Sequence, residues 1–251
     1  MPPWRALWAE RIGAAERWLL PGECLLCHER VAALAGDPLI CPLCRARWRR
    51  LPRPQCHRCG QPIDAYTECR ICPDWPAGFG GVESAVWLDE RARPAVHLLK
   101  YHGWRRVAVD LASAMASLSP LAGRPALVPI PLGAARLKSR GYNQSAELAR
   151  AIARRSGLVV ASSCLVRIRE TGTQTALTPE ERDANLRDAF RTRAPVPKRA
   201  VLVDDVFTTG ATLRSAATAL LAGGAEAVSA VTFGRAELPL AAVSRTISLT
   251  R

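Results

Sequence analysis

The sequence predicts an α/β protein, a mostly parallel sheet flanked by helices, with a small cysteine-rich module ahead of it. Three observations carry this. The run Val201-Leu202-Val203-Asp204-Asp205-Val206-Phe207-Thr208-Thr209-Gly210-Ala211-Thr212-Leu213 reads as a buried strand, a hydroxyl-rich turn and a helix start. Strand-like and helix-like segments alternate from about residue 80 onward, as in a parallel sheet with helical crossovers. Eight of the nine cysteines fall into four Cys-x-x-Cys pairs near the start of the 251-residue chain.

The cysteine pairs are Cys24/Cys27, Cys41/Cys44, Cys56/Cys59 and Cys69/Cys72. Each is a thiolate clip for one face of a tetrahedral Zn²⁺, and two clips complete a closed Cys₄ site of the structural kind. The spacing suggests two consecutive zinc ribbons. A cross-braced pairing, first clip with third and second with fourth, is the rival, and an iron–sulfur cluster needs only four of the thiolates. The ninth cysteine, Cys164, lies in an apolar segment, and no cleavable signal precedes the module. Reduced thiols and a cytoplasmic location are therefore expected rather than disulfides. Between Cys24 and Cys72 bulky apolar residues are few, so metal would supply most of the folding free energy there, on the order of 10 kcal/mol per site. His28 and His57 flank clips but are expected to face solvent.

The organisation that follows is a short amphipathic lead over 1–22, a double zinc-ribbon module over 23–77 and an α/β domain over 78–251. The breaker-rich Pro73-Asp74-Trp75-Pro76-Ala77-Gly78 separates the last two. Val82 to Leu88 reads as a strand or hairpin, Arg91 to Tyr101 and Val107 to Leu118 as helices, and Ala126 to Pro131 as a buried strand stopped by proline. Asn143 caps a helix reaching about Ser156. A short strand near Cys164 to Val166, the Val201 strand with its helix, and a last strand from Val228 to Phe233 complete the domain. No apolar run approaches the ~20 residues of a membrane span.

Chemistry concentrates around the Val201 strand. Backbone N–H groups at the start of the following helix favour an anion, and Gly210 lets the chain approach it closely. The absence of a Gly-Lys-Ser/Thr sequence excludes a Walker loop. Two adjacent carboxylates beside a phosphate site hold vicinal hydroxyls, directly or through Mg²⁺. Phosphate on one side and a diol on the other describe a ribose 5-phosphate. All thirteen residues resemble the motif by which type I phosphoribosyltransferases bind 5-phosphoribosyl-1-pyrophosphate (PRPP). The resemblance implies that Asp204 and Asp205 grip the ribose hydroxyls and are the catalytic pair. It implies that Thr208, Thr209, Gly210, Ala211 and Thr212 hold the 5-phosphate. Hypoxanthine-guanine salvage enzymes carry an Asp base at position 208; Thr208 argues against that branch.

Ligands bind at the carboxyl ends of strands in such sheets, which picks out two further stretches. After Val128-Pro129-Ile130-Pro131, the cations Arg136, Lys138 and Arg140 precede a helix N-terminus and suit a pyrophosphate. The polar span from Arg167 to Phe190 is long enough to be a lid, with Thr171, Gln174 and Arg182 its candidate residues. Together with Leu99-Lys100-Tyr101-His102-Gly103, Arg140-Gly141-Tyr142-Asn143-Gln144 and the cysteine module, these residues resemble the competence-associated ComF/GntX-type proteins along nearly the whole chain. That resemblance implies a type I phosphoribosyltransferase fold and a role in handling incoming single-stranded DNA. It implies no acceptor.

The formal charge of +13 falls to about +9 if eight thiolates hold two Zn²⁺. Such a surface attracts polyanions, and Arg45-Ala46-Arg47-Trp48-Arg49-Arg50 sets Trp among Arg as in single-strand binders. An Arg-rich, Ala-rich composition is the bland source of the same excess. Two functions are expected from all this. The first is a pentosyltransferase moving phosphoribosyl from PRPP–Mg²⁺ to an unidentified acceptor. The second is a PRPP or nucleotide sensor that also binds single-stranded DNA or an uptake helicase.

Overall fold

The computed structural model describes residues 22–31, 38–63, 69, 71–169, 189–193 and 195–237. The chain forms two compact units, Met1–Trp48 and Arg49–Arg251. The expected lead helix and the lid residues Thr171, Gln174 and Arg182 lie outside the described residues.

The first unit is small. Strands β1 (Gly22–Glu23) and β2 (Arg30–Val31) pair antiparallel, and helix α1 (Pro42–Ala46) follows. Cys41 caps α1 with its own sulfur, which accepts from the Cys44 N–H, and Pro42 fits the first helical position. Val31, Ile40 and Trp48 are buried apolar side chains of this unit.

The second unit contains a four-stranded, all-parallel sheet. Its strands are β3 (Phe79–Trp87), β4 (Ala126–Pro129), β7 (Arg199–Phe207) and β8 (Ala227–Arg235), in the order β3-β8-β7-β4. Val82 to Leu88 is therefore an edge strand with a parallel partner and not half of a hairpin. Ala200 and Leu202 of β7 pack into one cluster with Leu213, Ala216, Ala217 and Leu220 of helix α6 (Ala211–Ala222). Period-two alternation sends Val201 and Val203 to the other face. That face is covered by helices α3 (Val107–Met115) and α5 (Gln144–Ser156). The strands read as continuous apolar runs because both faces are covered.

Helix α2 (Arg93–Tyr101) precedes α3. The stretch Ala134–Arg140, where the sequence suggested only a basic approach to a helix, is itself a seven-residue helix, α4. Its Ala-Ala-Arg-Leu-Lys composition favours helix, and Gly141 ends it in a left-handed conformation before Asn143 caps α5. A separate antiparallel pair, β5 (Leu165–Arg167) with β6 (Phe190–Thr192), packs beside α6.

The second thiol cluster folds with this sheet. The Arg58 carbonyl accepts from the Val82 N–H at 2.6 Å, covering part of the β3 edge. The approach is so close that a Cβ on Gly81 would lie 2.5 Å from that oxygen.

Candidate functional site

The eight paired thiols form two groups, Cys24/Cys27/Cys41/Cys44 and Cys56/Cys59/Cys69/Cys72. In each, the sulfurs lie within 4.8 Å of one another. The clips therefore pair in sequence, and the cross-braced arrangement is excluded. Sulfur separations of 3.6 Å (Cys56–Cys72) and 3.8 Å (Cys27–Cys41) lie near the edge of a ZnS₄ tetrahedron, about 3.8 Å for 2.3 Å bonds, and Cys59–Cys69 is closer at 3.3 Å. All nine cysteines are free, and Cys164 is buried with its thiol donating to the Ala161 carbonyl. His28 and His57 are exposed and outside both groups.

The donor chemistry suits a cation. Burial raises Cys24, but N–H groups of Cys41, Cys27 and Leu26 outweigh it and bring the thiol to about 7; Cys56 reaches about 7 in the same way. Burial and the neighbouring sulfurs push Cys44 and Cys59 up instead, and Cys72 to about 12. Four thiolates cannot share such a space unless a metal neutralises them. Arg235 gives a second sign. Its guanidinium is fully buried beside the Cys56 group, donating to the Cys59 carbonyl and to Gln61 Oε1, both at 2.6 Å. A ZnS₄ centre carries a net charge of about −2, the counter-charge that a buried arginine needs.

Asp204 and Asp205 emerge at the carboxyl end of β7, beside the parallel strand β4. Asp204 is partly buried, and its Oδ1 accepts from the Ser145 hydroxyl at 2.8 Å and from the Asp205 N–H at 3.0 Å. Burial, then the charge of Asp205, pushes its carboxyl up to about 7 against the opposing Ser145 bond and Lys100. Asp205 is 3% exposed; its Oδ1 pairs with Lys100 Nζ at 2.8 Å, while its Oδ2 is buried with no hydrogen-bond partner among the described residues. An unpaired buried carboxylate oxygen is costly, and a hydroxyl or cation arriving there would relieve it.

The loop beyond is open where a phosphate would need it. Thr208 and Thr209 are exposed, Ala211 and Thr212 partly so, and Gly210 is buried at φ +81° as the N-cap of the twelve-residue α6. Among the described residues no side chain caps that end, which leaves its first N–H groups to a ligand. A Cβ on Gly210 would lie 2.8 Å from the Trp75 ring and 2.9 Å from that of Phe207.

The cations expected on the pyrophosphate side lie on α4. Arg136 and Arg140 are four residues apart and share a face, whereas Lys138 points elsewhere around the helix. Arg136 and Lys138 are exposed; Arg140 donates to Gln144 Oε1 and lies over the Tyr101 ring at 5.4 Å.

Five contributors had no role assigned in the sequence. Lys100 supplies the cation at Asp205, and Leu99 accepts the buried Tyr142 hydroxyl on its carbonyl. Ser145 orients Asp204 from the first turn of α5, whose cap Asn143 also donates to the Ile130 carbonyl at 2.9 Å. Trp75 lines the Gly210 turn, and Arg235 lies over the ring of Phe207, which lines it too. The adjacency of Leu99-Lys100-Tyr101 and Arg140-Gly141-Tyr142 was visible as two motifs, though not as one contact.

Comparison with known proteins agrees with the cysteine geometry. The double zinc ribbon domain family matches residues 15–74. The chain is 33% identical over 219 residues to the DNA utilization protein YhgH of Escherichia coli K12, covering 83% of this chain and 95% of that protein. It is 26% identical over 232 residues to the competence protein ComFC of Bacillus subtilis, covering 84% and 94%. Competence protein F of Haemophilus influenzae is 34% identical over 115 residues, 44% of this chain and 50% of that protein.

Proposed function

The chain belongs to the ComF-type family of competence and DNA-utilization proteins, and on that premise we propose that it binds PRPP with Mg²⁺ and transfers its phosphoribosyl group to an acceptor during DNA uptake. One observation carries the reading. At the end of β7, two acids with an unpaired buried oxygen stand next to an uncapped helix N-terminus across a Thr-Thr-Gly turn. A diol site and a phosphate site at that spacing suit ribose 5-phosphate.

In this reading Asp204 and Asp205 take the ribose hydroxyls, and Thr208 to Thr212 take the 5-phosphate. Arg136 and Arg140, on one face of α4, take the pyrophosphate, with Lys138 adding to the local potential. The bond between C1 and the pyrophosphate oxygen breaks with the electron pair leaving on pyrophosphate, and the acceptor's lone pair forms the new bond at C1. Mg²⁺ would neutralise the pyrophosphate, and the acceleration would come from positioning and charge stabilisation of the leaving group. Thr171, Gln174 and Arg182 are proposed to close over the ribose and exclude water. Thr208 brings no base, which favours as second reading a pocket that binds PRPP as a signal. Single-stranded DNA and an uptake helicase are proposed partners in either case. Trp48 is buried and does not offer its ring to bases, so the stretch at 45–50 supports the first of them through its exposed Arg47, Arg49 and Arg50 alone.

Pyrophosphate release from PRPP in the presence of candidate amines, bases and oligonucleotides separates the two readings. Release with one acceptor that disappears in the D204N/D205N double variant establishes transfer. PRPP binding with no release for any acceptor supports the signal.

A further inference from the structure

We infer that the second zinc site is the backing of the phosphate loop, with Trp75 as the positioning residue that transmits it; this rests on the PRPP reading above. The connection is continuous. Arg58, between Cys56 and Cys59, donates to four carbonyls downstream: Cys72 at 3.1 Å, Trp75 at 3.1 Å, Pro76 at 3.2 Å and Phe79 at 3.4 Å. One side chain within the metal loop thus fixes the whole segment that presents Trp75.

Trp75 is 6% exposed, stacked on Phe79 with ring centroids 4.7 Å apart and edge-on to Phe207 at 6.3 Å. Those two rings, Trp75 and Phe207, form the wall against which Gly210 sits in its left-handed conformation. Arg235 completes the circuit. It is anchored on the Cys59 carbonyl and Gln61, and its guanidinium lies over the same Phe207 ring, 4.3 Å from the centroid.

The physical consequence follows from charge and volume. The filled site supplies the anionic neighbour that keeps a fully buried guanidinium in place. Without it Arg235 loses its counter-charge, Phe207 loses its cation, and the segment held by Arg58 loosens. The wall behind Gly210 then gives way. A helix N-terminus binds phosphate only if its N–H groups converge on one point, so a displacement of an ångström at Gly210 is felt as lost affinity. Zinc at this site thereby acts on the phosphate end of the ligand and not on the α4 cations.

The test uses full-length zinc-loaded protein and three variants: W75A, W75F and C69S. Zinc content is measured on each, and ribose 5-phosphate and Mg²⁺–pyrophosphate are titrated separately. W75A should keep both metals yet bind ribose 5-phosphate about tenfold more weakly or worse. W75F should recover most of that loss, and C69S should lose one metal and match W75A. Pyrophosphate affinity should stay constant throughout, which general unfolding would not allow. Unchanged ribose 5-phosphate affinity in W75A, or an equal loss of both ligands, overturns the inference. Failure of the wild type to bind either ligand refutes instead the reading beneath it.

Discussion

Asp204 and Asp205 are neighbours in sequence with unlike surroundings. Asp205 has a fixed cation in Lys100; Asp204's hydrogen-bond partners among the described residues are a hydroxyl and a backbone N–H, with the Lys100 charge acting on it at a distance. Two consequences can be measured. Lys100→Met strands the Asp205 carboxylate in a buried position, and because the lysine is itself partly exposed the loss should sit near the lower end for such pairs, about 3 kcal/mol, by denaturant unfolding. The second concerns pH. With its carboxyl pushed up from 3.8 to about 7, Asp204 is protonated more readily in the fold than in the unfolded chain. Its stabilising contribution is present below about pH 4 and is lost as pH rises through 7. The difference in stability between wild type and D204N should therefore move against the wild type from pH 5.5 to pH 8. A difference independent of pH would show that Asp204 titrates normally. Gripping a diol needs the ionised form, so PRPP affinity should rise over the same interval.

Among the elements, the thiol clusters make the sharpest prediction. Cys56→Ser should cut bound zinc from two ions per chain to one and lower the unfolding midpoint by about 10 °C or more, because Arg58 and Arg235 lose their anchor together. Metal analysis beside a thermal melt checks both, and full zinc content in the variant would refute the ligand assignment. The elements also show what a sequence can and cannot convey. The β7 strand, its turn and α6 were legible because strand, breaker and helix signals are local. The Asn143 cap and the four clips were legible for the same reason. Trp75 was not, since a Trp among prolines reads as linker until its distant partners Phe79 and Phe207 are placed. Lys100 was hidden in a helix stripe, where nothing local says that its ammonium meets an acid more than a hundred residues later. Helix α4 was masked by its charge, which drew attention away from its helix-favouring backbone. The sequential grouping of the clips needed coordinates, because both pairings use the same residues.

At the scale of the whole molecule, the thiol clusters and the candidate ligand site are distributed unevenly. The parallel sheet fixes where the acids and the loop from Thr208 to Thr212 come out, at the carboxyl ends of its strands. The second cluster is integrated with that sheet through Arg58, Trp75 and Arg235, whereas the first belongs to the Met1–Trp48 unit. Among the described residues no helix is long and apolar enough to cross a membrane. In the proposed function, the formal charge of +13 would supply a general attraction for polyanions, DNA included, that falls with salt, and the β7 site a specific one for a phosphorylated pentose. The β7 pocket is proposed to bind PRPP. The direct measurement is calorimetric titration of PRPP with Mg²⁺ into the wild type and into D204N/D205N. Saturable binding to the wild type and none to the double variant is the predicted result. Equal binding by both proteins, or none by either, would contradict it.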